Sequence, residues 1–513
     1  MRPRGVAFVA AVMCFMAQAS FGSLDYWPTT GWRASTPEEQ GMDSTMLAES
    51  LAALNKNPIN IHSLLIVRHG YMVVEAYFAP FMQGSQHDVA SVTKSVTATL
   101  TGIAAHKGLI RSLDEPILDF FPQRTAANLD DRKKAMTVAH LLTMSSGLTC
   151  ITSPGEVTLM QMMASPDWVQ FMLDQPMQDE PGTRFVYNSG GVHLLSAILH
   201  QAAGMNEVEF AKQNLFGPLG ITNVAWPLDP TGTDNHGWGD LRLTPPDMAK
   251  LGLLYLDGGH WDGRQVLSPE WVAAATKPHV ATSNRAHPGY GYLWWINDGA
   301  GFAAVGRGGQ RINVMPDRDL VVVTTSGTDN RTIDQTLPTQ IVAAVKSPGP
   351  LPPNPSAVDL LSGEIKKAAV RNEKPQPVPK LPKLARRIAG KTYTLEANPF
   401  GLASFSLEFP KKDEAFVRIT SAGGAAGGAV MQFAVGLDDV FRMAKGREGL
   451  PAAGKGSWKD DKTFAMQLDE IGHINRWIIM ATFDENNVTL LMRSLSGLGE
   501  LTLTGKMRAD AAE

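Results

Sequence analysis

The chain predicts an α/β (α+β) protein in two parts: an antiparallel sheet flanked by a helical region, then a C-terminal antiparallel β-barrel. Three observations carry this. Strand-like runs stand at both ends of a long helical stretch, prolines cluster at 348–355 and again at 375–382, and the texture beyond Gly390 changes to short runs of alternating hydrophobicity. At 513 residues the chain is too long for one hydrophobic core, so two or three domains are expected.

Residues 1–19 read as an export signal. Met1 to Arg4 is basic, Gly5 to Ala17 is apolar but short for a bilayer span, and Ala17-Gln18-Ala19 offers a small-x-small cleavage site. Maturation is expected after Ala19, with Gly22 or an uncleaved anchor as alternatives, and the expected location is periplasmic or secreted. No later stretch is apolar enough for stable membrane insertion. Of the two cysteines, Cys14 leaves with the signal, and Cys150 alone makes no intrachain disulfide. It reads as a small core residue.

The first domain is expected over 24–346. A helix is read around Thr45–Asn55. Leu64 to Val67 and Tyr71 to Val74 form a hairpin about Arg68-His69-Gly70. A second hairpin joins Ile312–Met315 to Leu320–Thr324 through Pro316-Asp317-Arg318-Asp319. Strands this far apart in sequence suggest one antiparallel sheet made from the ends of the domain. Thr244-Pro245-Pro246-Asp247 carries a capping threonine, proline in the first turn and an acid at the third position, so a helix is expected to Leu256. Residues 347–389 read as a proline-rich linker with a short helix within Val358–Val370. Residues 390–510 carry period-two runs at 391–395, 404–409, 464–468 and 488–491, expected as barrel strands, with a Gly/Ala-rich loop from Ser421 to Ala429.

The net charge of −4 and a pI near 6.3 disfavour a nucleic-acid partner. No H-E-x-x-H and no cysteine-rich pattern is present, so neither metal nor cofactor is expected. His140 and His193 are read as structural. The absence of G-x-S-x-G disfavours an α/β-hydrolase, and Gly390-Lys391-Thr392 fails as a phosphate loop because Ala385 stands where the first glycine is required.

Ser91-Val92-Thr93-Lys94 is the central motif. At the start of a helix the hydroxyl and the amine, three residues apart, share a face. A serine needs a neighbour to take its proton, and the helix N-terminus supplies positive potential. Alone this tetrapeptide is weak; a solvated helix start would explain it as well. Tyr187-Asn188-Ser189 follows the turn Pro181-Gly182. A tyrosinate beside a lysine ammonium has a lowered pKa and can act as general base, although a half-buried core tyrosine is the plainer alternative. Third, Gly306-Arg307-Gly308-Gly309-Gln310 leads into a strand, where glycines allow close approach and Arg307 can hold a carboxylate; an exposed bulge is the alternative.

Together, in the order S-x-x-K, Y-x-[SN], basic-x-G, these motifs resemble the serine β-lactamase/penicillin-binding superfamily. They are most similar to class C β-lactamase-related hydrolases, which include esterases, D-amino-acid peptidases and nylon-oligomer hydrolases. Val138 to Leu148 and Gly291-Tyr292-Leu293-Trp294-Trp295 share that texture, and the resemblance runs from about Trp32 to Gly327. It implies a β-lactamase/transpeptidase-like fold and an acyl-enzyme at Ser91. Lys94 and Tyr187 would shuttle the proton, and the backbone N–H groups of Ser91 and Gln310 would form the oxyanion hole. Ser189, Arg307, Gly308 and Gly309 would bind substrate. Ser189 stands where class C enzymes carry asparagine, and Arg307-Gly308 where β-lactamases carry lysine and a hydroxyl residue; these departures put efficient β-lactam turnover in doubt. The C-terminal part resembles a lipocalin-like barrel and reads as a stabilising appendage before a lid. The leading expectation is a serine hydrolase of small esters, amides or peptide-like substrates, with oligomeric state open. The rivals are a D,D-peptidase, penicillin-binding protein or β-lactamase, and a catalytically silent binder of cell-wall fragments.

Overall fold

The computed structural model describes residues 25–508, apart from 57–58, 154, 300, 330–332, 334–337, 372, 399–400, 422–429, 485 and 497–498. The expected signal, with Cys14, and nearly all of the Gly/Ala-rich loop lie outside the described residues.

One antiparallel sheet of eight strands organises the first part. Its order is Tyr71–Tyr77, Ile61–Arg68, Leu320–Ser326, Gln310–Met315, Phe302–Gly306, Trp295–Ile296, Gly289–Tyr290 and Val280–Ala281. The junction is Ile61–Arg68 against Leu320–Ser326, with Leu65 opposite Val323, so the two ends of the domain meet as the hairpins predict. Both faces of the sheet are covered. Leu65, Val67, Ile312, Val314, Val321 and Val323 enter one core, and Leu64, Ile66, Leu320 and Val322 enter the other. A strand buried on both faces has no polar positions to alternate, which is why these segments read as continuous apolar runs.

The first core is closed by the helices Val92–His106, Ser189–Ala203 and Pro245–Leu256. Thr244 accepts a hydrogen bond from the Asp247 backbone N–H at the start of the last of these, as its sequence predicts. The second core is closed by Ser44–Lys56 and by Pro355–Ala368, whose Leu361 and Ala368 are buried in it. The proline-rich segment is thus more than a spacer. Pro355 sits in the first helical turn, where its missing N–H costs nothing, and the helix packs its apolar side onto the preceding domain.

Ten strands between Thr392 and Met507 form the C-terminal sheet. Val430–Gly436 pairs with Pro451–Trp458 and closes a ring, leaving Arg442–Lys445 as an edge. The closing pair is parallel, the one departure from the antiparallel expectation. Ile479, Ala481 and Phe483 point inward and alternate with exposed Met480, Thr482 and Asp484. The inside is filled by Tyr393, Phe405, Phe433, Phe464 and Phe483, so it is a packed core. A small cluster of Tyr77, Phe81, Ala453 and Ile471, with Phe441, joins the barrel to the first domain.

Candidate active site

Ser91 stands at the N-cap of Val92–His106, as the S-x-x-K spacing predicts. The turn that delivers it is specific. Ala90 takes a left-handed backbone with φ 48°, and its N–H donates to the Asp88 carboxylate at 2.7 Å. Thr93 Oγ1 donates back to the Ala90 carbonyl at 2.6 Å. Ser91 is half-buried at the mouth of the helix, where the macrodipole favours negative charge, although the Val92, Thr93 and Lys94 N–H groups already donate to the carbonyls of Val89, Ala90 and Ser91.

Lys94 is 1% exposed, and its Nζ lies 2.7 Å from Ser91 Oγ and 2.8 Å from the carbonyl oxygen of Trp238. Burial pushes the ammonium down to about 8, partly opposed by the charges of Glu156 and Asp240. Roughly a tenth of the amine is therefore neutral at pH 7. The Trp238 carbonyl can only accept, so it takes one N–H of a neutral Lys94, and the lone pair is left for the serine proton.

Tyr187 completes the cluster. Its ring centroid is 5.0 Å from Lys94 Nζ, and it stacks on Trp295 at 5.9 Å and 20°. Its titration differs from the expectation: burial raises the phenol, reinforced by Glu156 and only partly offset by a hydrogen bond with Ser91. A tyrosinate base is thereby disfavoured. Desolvation acts on both partners against their charged forms: Lys94 gives up its proton more readily than a free lysine, and Tyr187 holds its proton more tightly than a free phenol.

The basic-x-G element is the turn between Phe302–Gly306 and Gln310–Met315, with Gly308 at φ 82° and Gly309 at φ 88°. A Cβ on Gly306 would lie 2.5 Å from the Val89 carbonyl oxygen and 3.1 Å from Ala90 Cβ, so this hairpin is packed against the Ser91 turn. Gln310 is fully buried. Its side chain donates to the Ser326 carbonyl at 2.6 Å and accepts from the Ser326 N–H at 3.1 Å, which pins the hairpin to the next strand.

Two of the residues expected to bind substrate, Ser189 and Arg307, sit in enclosed settings. Ser189 is 1% exposed in the first turn of its helix, and its Oγ has no partner among the described residues, so it is not presented to solvent. The neighbouring Asn188 carboxamide caps that helix by accepting from Gly191 N–H at 2.9 Å. Arg307 is shared with the C-terminal barrel: its Nη1 donates to Asn475 Oδ1 at 3.1 Å. The barrel therefore touches the site, a contact that bears on the choice between a stabilising appendage and a substrate-binding module.

His193 is fully buried, with its ring edge-on to Trp168 at 5.2 Å. His140 Nδ1 accepts from the Thr137 N–H at 3.1 Å as part of a capping box. Cys150 is half-buried, and burial raises its thiol to about 11, which disfavours a nucleophilic role. One group of possible metal ligands occurs among the described residues: His193, Asp229 and Asp234, all buried. Asp229 is already engaged by Thr231 and by the Thr233 and Asp234 N–H groups, and Asp234 by His200 at 2.7 Å. These contacts brace the loop that carries Trp238. Sequence reading missed Trp238, Asp88 and Asn475. Trp238 acts through its backbone carbonyl, which leaves no side-chain signature, while Asp88 lies three residues before a recognisable serine and was within reach. Among the described residues no helix is long and apolar enough to cross a membrane.

Comparison with known proteins agrees with this geometry. Residues 61–346 match the family described as Beta-lactamase. The 6-aminohexanoate-dimer hydrolase of Paenarthrobacter ureafaciens is 24% identical over 282 residues, covering 51% of this chain and 71% of that protein. A beta-lactamase of Yersinia enterocolitica is 23% identical over 175 residues, covering 34% of this chain and 42% of that one. Among solved structures, EstCE1, a hydrolase with promiscuous acyltransferase activity, shares the fold with a TM-score of 0.50 and 18% identity, covering 59% of this chain and 99% of that one. With more than half of its length in the matched segment, and a buried lysine on the serine at its helix start, the chain belongs to the beta-lactamase family of serine hydrolases.

Proposed function

We propose that the protein hydrolyses small esters or amides through an acyl-serine at Ser91. The observation that carries this is the 2.7 Å contact between Ser91 Oγ and a buried Lys94 whose ammonium is brought down to about 8. Neutral Lys94 takes the serine proton as Oγ attacks the acyl carbon. The oxyanion is stabilised at the helix start by the Ser91 N–H, with the Gln310 N–H as second donor. When the tetrahedral intermediate collapses, the bond to the leaving group breaks, and the proton passes from the lysine to the leaving oxygen or nitrogen. Tyr187, held neutral by burial beside Lys94, steers that transfer as a donor. Water then repeats the sequence on the acyl-enzyme, with Lys94 again taking the proton.

The named activity of the 6-aminohexanoate-dimer hydrolase supports an amide or ester substrate. Arg307-Gly308, engaged by the barrel, speaks against a β-lactam as the preferred one. The basic and apolar run at Met1–Ala19 supports export to the periplasm or beyond the cell. Intact-mass spectrometry after brief exposure to p-nitrophenyl acetate tests the reading. A transient adduct on Ser91 that clears with turnover is expected. A long-lived penicillin adduct without ester turnover would transfer the chain to the penicillin-binding reading, and no adduct with either reagent would leave the silent binder.

A further inference from the structure

The barrel reaches the first domain through the loop Glu470–Asn475, between the strands Thr463–Asp469 and Arg476–Asp484. Its Gly472 carbonyl accepts from the Asp88 N–H at 2.8 Å, three residues before the nucleophile. His473 Nδ1 lies 3.9 Å from the Asp88 carboxylate that fixes the Ser91 turn. Ile474 is 2% exposed and is pressed into the hairpin. A Cβ on Gly308 would collide with Ile474 Cγ2, and one on Gly327 would lie 2.6 Å from the Ile474 carbonyl oxygen.

Two features mark this contact as built. Ile474 has φ 95°, a backbone that a β-branched residue adopts only when its surroundings impose it. Asn475 has both ends of its amide satisfied in one orientation: Oδ1 accepts from Arg307 at 3.1 Å and Nδ2 donates to Glu470 at 3.1 Å. Asp88, Glu470 and Asp240 also act electrostatically on Arg307, with Arg447 the opposing cation. Burial is the largest influence on the guanidinium and works against its charge, so the Asn475 amide and the more distant carboxylates offset part of that cost.

We infer that the Glu470–Asn475 loop is a wall of the substrate pocket and sets its selectivity, occupying Arg307 with Asn475 and the space beside Gly308 with Ile474, so that substrates without a carboxylate at this position are preferred. This rests on the acyl-serine reading above. It gives the barrel a part in specificity: the hydrolase domain supplies the reacting groups, and the barrel decides what charge may sit across from them.

The test compares phenyl butyrate with its 3-carboxyphenyl counterpart, which share an acyl group and differ in one leaving-group carboxylate. Asn475→Ala should raise kcat/KM for the carboxylate ester relative to the neutral one by about tenfold, the worth of one freed charge-assisted contact. Asn475→Asp, which keeps the volume and holds Arg307 more tightly, should move the ratio the other way. Arg307→Ala should abolish the gain in the Asn475→Ala background and leave the wild-type ratio nearly unmoved. A ratio indifferent to both Asn475 variants, in proteins with wild-type melting curves, overturns the inference. So does a selective loss of the carboxylate ester in Arg307→Ala alone, because Arg307 would then already be serving substrate. Ester turnover that survives Ser91→Ala would instead sink the parent reading.

Discussion

The two sides of Ser91 are built on different principles. On the lysine side, Lys94, Tyr187 and the Trp238 carbonyl all come from the sheet-and-helix domain, and burial there favours neutral groups. On the arginine side burial also works against the charge of Arg307, and the barrel adds partners there: Asn475 meets Arg307, and Gly472 and His473 meet Asp88. Burial alone would raise the Asp88 carboxyl, but His473 and the Ala90 N–H outweigh it and hold it below its usual value. Low dielectric thus tunes a base on one side and is partly offset on the other.

Removing the nucleophile should break the comparison outright: Ser91→Ala is expected to abolish the p-nitrophenyl acetate burst, read by intact mass. Lys94→Met should lower kcat by roughly two to four orders of magnitude, the usual worth of acid–base catalysis. In the wild type, kcat/KM should rise with pH through about 8 as the Lys94 ammonium loses its proton, and this limb should vanish in the variant. A wild-type profile that is flat from pH 6 to 9 would remove Lys94 as the base.

Tyr187→Phe separates donor from base. A neutral donor contributes one hydrogen bond to a developing charge, so a loss of about ten- to hundredfold is expected, smaller than that of Lys94→Met. A loss equal to that of Lys94→Met would restore a tyrosinate mechanism.

Acid should weaken the arginine side through its histidines. His87 Nδ1 faces the Asp88 carbonyl at 2.7 Å, which can only accept, so this nitrogen carries the proton. Its Nε2 is then the acceptor for His62 Nδ1 at 2.8 Å. Burial lowers His87 from 6.5 to about 4, and a second proton would set N–H against N–H. The unfolded chain binds more protons between those values. The stability is therefore complete above pH 6.5 and falls by up to about 3 kcal/mol as pH drops toward 4. A melting temperature constant from pH 7 to 4.5 would contradict this. The smallest effect expected is Gly308→Ala, at about 1–3 kcal/mol, because the new methyl meets Ile474 and the backbone is left-handed. Ile474→Ala in the same chain should recover part of that loss, since the two residues touch.

Much of this was legible in the chain. S-x-x-K is local: three residues along one helix fix the approach of amine to hydroxyl, so Ser91 and Lys94 follow from spacing once the helix forms. The two hairpins, the capped helix at Thr244 and the alternating barrel strands are local in the same sense. Pairing Ile61–Arg68 with Leu320–Ser326 required the further inference that both hairpins seek one core. What the chain alone could not decide was every property set by groups distant in sequence. The direction in which Tyr187 titrates depends on how much water the fold removes. Whether Ser189 faces solvent depends on the packing of a helix. Whether Arg307 is free depends on Asn475, 168 positions away. Residue type and spacing determine which chemistry is possible; dielectric, exposure and charge compensation belong to the assembled interior, and those are decided only when the barrel loop closes on the hairpin.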